Sequence, residues 1–145
     1  MIAIASDHGG FALKQELIAR LNSLGIEFED FGCYDTASVD YPVYAEKVCR
    51  AVLDGKAEKG VLVCGTGIGM SMAANKFTGI RAALVADCYS AEMTRQHNDA
   101  NVLCLGGRTI GPELAAMILE IFLKTPFSGL EKHSRRIGMI KEFEN

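Results

Sequence analysis

Cys64 ends the apolar run Val61-Leu62-Val63 and opens onto Gly65-Thr66-Gly67-Ile68-Gly69, a thiol where a buried strand gives way to a glycine-rich turn. In open α/β sheets, ligands collect beyond the carboxyl ends of the strands, and the amides of the following turn point into that crevice. An ordinary thiol has a pKa of roughly 8.5, so using it as a base at neutral pH takes about 2 kcal/mol of preference for the thiolate. A helix N-terminus supplies about 0.3–2 kcal/mol of that. The same position also suits a small apolar core residue, the commonest role of a free cysteine, and position alone leaves both readings open.

Three further polar groups accompany the thiol. In Ser6-Asp7-His8-Gly9-Gly10, directly after the first apolar run, a carboxylate and an imidazole would face the crevice of Cys64. Asp7 can hold a sugar hydroxyl and His8 a phosphate or ring oxygen; alternatively Asp7 caps the next helix and His8 is a turn residue. In Arg95-Gln96-His97-Asn98-Asp99-Ala100-Asn101, His97 is the natural acid or base near neutral pH and Asn98 an amide donor to an oxyanion. His97 can equally be a cation capping the end of a helix. Arg108, after Gly106-Gly107, would send a guanidinium into the crevice. Near the C-terminus Lys132, His133, Arg135 and Arg136 cluster, with Lys132 and Arg136 at i, i+4 on one helical face, which without a ligand is a solvated face.

The glycine turn fits neither the dinucleotide fingerprint nor the P-loop, so a nucleotide is disfavoured. Successive N–H groups beside a thiolate instead make a hole for an oxyanion formed during reaction. A thiolate base, such a hole, a histidine acid and scattered cations describe proton abstraction next to a carbonyl on a phosphorylated substrate. That chemistry is aldose–ketose isomerisation through an enediolate.

The elements that must position these groups are legible as apolar runs alternating with helical periodicity. Ile2–Ala5, Glu27–Phe31, Val61–Cys64, Ala82–Ala86 and Val102–Leu105 read as strands, the first and third central because both lack polar alternation. Leu13, Leu17, Leu21 and Leu24 mark one helix, stopped at Gly25, and Tyr41-Pro42 opens another. Ser90 is placed to cap a third, and Leu114, Met117, Ile118, Ile121 and Phe122 mark a helix after Gly111-Pro112. Such alternation implies parallel strands with right-handed crossovers: a doubly wound, Rossmann-like α/β sheet of five parallel strands with a C-terminal helix over 130–145. At 145 residues, 49% hydrophobic and 23% charged, the chain reads as one domain, 1–145, with a full core. A net charge of −3 without a basic run gives no footprint for nucleic acid or membrane. Five dispersed cysteines without a CxxC pair argue against disulfides and a zinc site and fit a reducing cytoplasm. The N-terminus has no basic leader and too short an apolar core for a signal peptide, and the chain reads as soluble and unprocessed.

The chain resembles the type B ribose-5-phosphate isomerases, a family that also holds galactose-6-phosphate isomerase subunits. The resemblance runs along essentially its whole length and rests on SDHGG at Ser6–Gly10, DYP at Asp40–Pro42, CGTGIGMSMAANK at Cys64–Lys76, GIRAAL at Gly79–Leu84 and RQHNDANVL at Arg95–Leu103. It implies that Cys64 moves a proton between C1 and C2 and that His97 opens the sugar ring. It implies that Gly65, Thr66, Gly67, Ile68 and Gly69 form the anion hole, with Asp7, His8 and Asn98 on the sugar or phosphate. Arg108, Lys132 and Arg136 fall where the family places phosphate-binding cations. Some members carry a glutamate base where this chain has Met70, which leaves Cys64 as the matching base. The usual Gly-Gly-Arg-His tail is here Leu130-Glu131-Lys132-His133, and lysine keeps the charge without the bidentate fork. The resemblance implies ribose 5-phosphate as substrate, no metal or organic cofactor, and a homo-oligomer, dimer or tetramer, with sites shared between subunits. A six-carbon sugar phosphate, such as allose or galactose 6-phosphate, and a non-catalytic sugar-phosphate sensor are the alternatives.

Overall fold

Ile2–Ser6 forms β1, followed by α1 (Phe11–Ser23), β2 (Phe28–Asp30) and α2 (Tyr41–Leu53) in a computed structural model that describes residues 1–144. β3 (Lys59–Cys64), α3 (Ile68–Ala74), β4 (Ala82–Leu84) and α4 (Cys88–Asn98) come next, and β5 (Val102–Gly106), α5 (Pro112–Lys124) and α6 (Glu131–Lys141) complete the order. The strands lie in the order β2-β1-β3-β5-β4, all parallel, as the alternation of elements requires. The C-terminal helix expected over 130–145 is α6; Asn145 lies outside the described residues.

Side chains alternate across the sheet with the period of two that a strand imposes. Ile4, Val61, Val63 and Leu103 pack toward α1 and α5, with Leu17 and Ile118 against them. Ala3, Ala5, Leu62 and Cys104 pack toward α2 and α3, where Val48 and Met70 meet them. The small alanines on this second face let α2 come close to β1. Both faces of β1 and β3 are therefore covered, as their unbroken apolar runs anticipate. The two edge strands are shorter than the sequence suggests, three residues each instead of the five in Glu27–Phe31 and Ala82–Ala86, because each has a neighbour on one side alone. Asn75 closes the free side of β4: its side chain accepts from the Ala82 N–H at 2.8 Å and donates to the Ala82 carbonyl at 2.9 Å, which blunts the edge.

One expected cap is reassigned, and one charge is buried. The cap of α4 is Asp87, whose Oδ1 accepts the Ser90 N–H at 2.7 Å, so Ser90 supplies the donor and not the cap. Lys14, flanked by Leu13 on the first helix, is fully buried, not solvated. Its ammonium donates to Asp30 Oδ1 at 2.7 Å and to the Cys33 carbonyl, with the rings of Phe11 and Tyr34 about it at 5.5 and 5.4 Å. A buried charge persists only when paired and hydrogen-bonded, and this one ties the segment after β2 to α1. Among the described residues no helix is long and apolar enough to cross a membrane.

Removing that cation leaves the Asp30 carboxylate and the Cys33 carbonyl without their shared donor. Lys14→Met should lower unfolding stability by about 3 kcal/mol, read as a lower urea midpoint at unchanged slope. A loss below about 0.5 kcal/mol, the range of an ordinary surface change, would show that the segment is held by other contacts.

Candidate active site

The turns beyond β1, β3 and β5 are stitched into one surface by backbone hydrogen bonds that continue the sheet. The Asp7 N–H donates to the Val63 carbonyl at 3.1 Å, Gly107 N–H to the Cys64 carbonyl at 2.8 Å, and Arg108 N–H to the Gly65 carbonyl at 2.9 Å. Cys64, Asp7 and Arg108 are thereby carried side by side at the carboxyl end of the sheet. The turns touch backbone to backbone: a Cβ on Gly10 would lie 2.3 Å from the Val63 carbonyl oxygen. Glycine is required there for space.

Cys64 is 4% exposed and belongs to the apolar layer beneath α2 and α3, so the core reading of this residue is correct for most of its surface. Its sulfur nevertheless has a polar partner: the Gly67 N–H donates to Sγ at 3.2 Å. Gly67 can aim its amide there because it adopts φ 79°, the left-handed region, with Leu84 and Leu105 filling the space of a side chain. The Ile68 N–H is also committed, donating to Thr66 Oγ1 at 3.2 Å. Two of the five amides in Gly65–Gly69 are thus used inside the turn, which narrows the anion hole that the sequence suggests.

Asp7 is 7% exposed, and its Oδ1 accepts the Gly10 N–H at 3.0 Å; Gly10, not Asp7, is the cap residue of α1. His8 Nδ1 accepts the N–H of Val39, in the segment between β2 and α2, at 3.2 Å. The Arg108 guanidinium lies over Gly9 and Gly65, its Cζ and Nη1 3.4 and 3.3 Å from where their Cβ atoms would be. It makes no ion pair among the described residues. Tyr41 lies against Gly69, with ring atoms 2.6 to 3.0 Å from a Cβ built there, and so walls the same turn. Tyr41 was visible in the sequence as part of DYP but only as a helix start; nothing in its spacing places it beside a turn that begins 24 residues later.

The second group is elsewhere. His97 and Asn98 end α4, and the carbonyls that the helix leaves open are taken by two guanidinium groups. Arg81 donates from Nε to the Asn98 carbonyl and from Nη2 to the Asp99 carbonyl, each at 2.9 Å. Arg95 Nη1 reaches Asp99 Oδ1 at 2.9 Å and the Ala100 carbonyl at 2.6 Å, and its Nε reaches the Thr125 carbonyl at 3.1 Å. α6 then folds back over this corner, where His97 and His133 lie with ring centroids 4.4 Å apart. Lys132 and Arg136, sharing a face as i, i+4 spacing predicts, line a cavity of about 470 Å³ with His97, Asn98, Ser128 and His133. Neither cation has an ion-pair partner among the described residues, whereas their neighbour Arg135 pairs with Glu131 at 2.6 Å.

Within one chain the fold does not bring His97 to Cys64. The Asn101 carbonyl accepts the Gly60 N–H at the start of β3, while Cys64 pairs with Gly106 at the far end of β5. Four residue steps of strand, about 13 Å at roughly 3.3 Å each, separate the two ends before any side chain is counted. Asp7, His8, Cys64 and Arg108 lie at the carboxyl end of the sheet; His97, Asn98, Lys132 and Arg136 lie beyond its amino end. Around the first group Ile68, Met72, Leu84 and Tyr89 leave large apolar surface exposed. Among the described residues no three His, Cys, Asp or Glu side chains gather as a metal centre would need.

A family model described as Ribose/Galactose Isomerase matches residues 2–140. The chain is 46% identical over 143 residues to ribose-5-phosphate isomerase B of Escherichia coli, covering 99% of this chain and 95% of that one. Among solved structures, Clostridium thermocellum ribose-5-phosphate isomerase B superposes with a TM-score of 0.96 at 48% identity, over 99% of this chain and 96% of the other. The type B ribose 5-phosphate isomerase of Trypanosoma brucei gives 0.93 at 50% identity, over 99% and 97%. The chain belongs to the ribose/galactose isomerase family, and its five-stranded parallel sheet with six helices is the fold of those structures.

Burial, with the neighbouring charges of His97, Lys132 and Arg136, holds His133 below the ordinary histidine pKa of 6.5. The folded chain therefore favours the neutral ring, and this contribution is complete above the ordinary range and lost as pH falls through it. The urea midpoint should drop further between about pH 7 and about pH 5 in the native protein than in His133→Gln. Equal drops would locate the acid sensitivity outside this corner.

Proposed function

We propose that the protein interconverts ribose 5-phosphate and ribulose 5-phosphate in sites that two copies of the chain build together. One observation carries the reading: Cys64 Sγ, aligned by the Gly67 N–H, sits at the carboxyl end of β3 beside Arg108, which has no ion pair among the described residues, in a chain of the ribose/galactose isomerase family. The opposite-end grouping of His97, Asn98, Lys132 and Arg136 supports the shared site, because a second copy can bring its His97 corner to the Cys64 turn when one chain cannot. The exposed apolar side chains around that turn suit such a contact. On this reading Arg108 comes from the subunit that supplies Cys64, and Lys132 and Arg136 come from the other.

The steps follow from the groups. His97 of the second copy moves a proton between the anomeric hydroxyl and the ring oxygen, and the ring opens to the aldehyde. The Cys64 thiolate takes the C2 proton; the electrons of that bond form the C1–C2 double bond, and the aldehyde oxygen becomes an oxyanion. Free amides of Gly65, Thr66 and Gly69 receive the developing charge, with Asn98 of the second copy as a further donor, while Gly67 and Ile68 hold the turn in shape. Sγ then returns its proton to C1 as the O2 proton passes to O1, leaving the C2 ketone. Asp7 holds a sugar hydroxyl through the oxygen not given to Gly10, and His8, Arg108, Lys132 and Arg136 meet the phosphate, whose charge is roughly −1.5 to −2. Proton transfer alone balances the reaction.

Purified protein should turn over ribose 5-phosphate with a higher kcat/KM than allose 6-phosphate or galactose 6-phosphate, and a chain inert on all of them overturns the reading. Cys64→Ala should lose at least about three powers of ten in kcat, since no second base is in register. His97→Asn should also be impaired, yet refolding it with Cys64→Ala should restore about a quarter of native activity, because mixed dimers carry one intact site. No recovery on mixing would mean that each chain builds its site alone.

A further inference from the structure

His8 is approached on its Nδ1 by a group that can only donate. The Val39 N–H points at that nitrogen from 3.2 Å, and a backbone amide has no acceptor to offer in return. Nδ1 must therefore be bare: an Nδ1–H ring would set two N–H groups against each other, and so would an imidazolium, which carries a proton on both nitrogens. The remaining proton is on Nε2, which makes no hydrogen bond among the described residues. We propose that the Val39 amide locks His8 as the neutral Nε2–H tautomer, so that it offers the substrate phosphate a directed, uncharged donor while Arg108 and the second copy's cations supply the charge. This rests on the reading that His8 contacts the substrate.

The segment that carries Val39 is built to hold that amide still. After β2 it continues alongside β1, with Phe31 N–H donating to the Ile4 carbonyl at 2.8 Å, Ser6 N–H to Gly32 at 2.7 Å and Cys33 N–H to Ser6 at 2.8 Å. Lys14 grips the Asp30 carboxylate and the Cys33 carbonyl from below. Beyond Cys33 the Asp35 carboxylate accepts the Ala37 N–H at 2.9 Å, and Asp40 starts α2 one residue after Val39. Val39 thus lies between an anchored turn and a helix, beside the ring it orients. Val39 is a positioning residue in this arrangement, since it acts only through His8.

The tautomer is read directly by long-range ¹H–¹⁵N NMR of the native protein, with the His8 signals assigned by their loss in His8→Asn. Nε2 should carry the proton and Nδ1 should appear as a bare ring nitrogen in the free enzyme; an Nδ1–H ring or an imidazolium at neutral pH would overturn the proposal. Kinetics give the second readout. His8→Ala should raise KM for ribose 5-phosphate about tenfold or more, as expected for a lost hydrogen bond to a charged group. His8→Gln, whose amide donates near the Nε2 position, should recover much of that loss, and His8→Lys should not. Rescue by lysine but not glutamine would overturn the neutral-donor role. An unchanged KM in His8→Ala would instead remove His8 from the substrate contacts, while the NMR result still decides the tautomer.

Discussion

The register of β1, β3 and β5 is the constraint on which everything else depends. These three strands are buried on both faces, so their peptide groups have no water to fall back on and must pair with one another. The pairing does not stop where the strands do, because the amides of Asp7, Gly107 and Arg108 carry it into the turns. Three loops from distant parts of the sequence are fixed to one another by the rule that governs the core. Close approach of those turns demands glycine at Gly10 and Gly107, where an added Cβ would lie 2.3 Å from the Val63 carbonyl oxygen and 2.7 Å from the Gly9 carbonyl oxygen.

The same parallel sheet keeps the two groups of polar side chains apart within one chain. Every strand points the same way, so groups placed after strands collect at one end and groups placed before them collect at the other. Cys64 and Arg108 follow β3 and β5; His97 and Asn98 precede β5. No adjustment of side chains crosses that distance. The polarity of the sheet thus sets two polar groups at opposite ends, each with cations that have no ion-pair partner among the described residues, and on the proposed reading a two-fold pair of subunits uses that arrangement twice.

Most of the fold was legible in the sequence, since apolar runs of four or five residues separated by helical spacing leave little choice of architecture. Where the reading fell short, a contact distant in sequence decided the matter. Glu27–Phe31 and Ala82–Ala86 read as strands of five residues, yet edge position trims both to three. Lys14 shares the face of Leu17 and Leu21 at i, i+3 and i+7, but its charge gives no sign of burial, which depends on Asp30 and Cys33, 16 and 19 residues away. In the site, the residue types announce their chemistry but not the distance between them: Cys64 ends β3 and His97 precedes β5, and the parallel sheet sets these two flanks at opposite ends. Tyr41 against Gly69 and His133 against His97 are contacts between helices or turns with no sequence signature of their own.

If two copies build the site as proposed, the division of charge between their half-sites has a thermodynamic consequence. The chain as a whole is anionic, at −3, so attraction for a phosphate must come from local cations, here Arg108 on one half-site and Lys132 with Arg136 on the other. Arg135 is neutralised by Glu131 one turn back, which leaves Lys132 and Arg136 as the free positive face of α6. Bringing the half-sites together without a ligand sets like charges toward one site, at a cost that apolar contact must offset; a bound phosphate turns the same repulsion into attraction across the interface. On that reading substrate binding and subunit association favour each other by the same free energy, because a ligand held by both copies binds only the associated state. In the proposed pair the exposed apolar side chains beside the Cys64 turn would supply the contact that holds the copies together before the phosphate arrives.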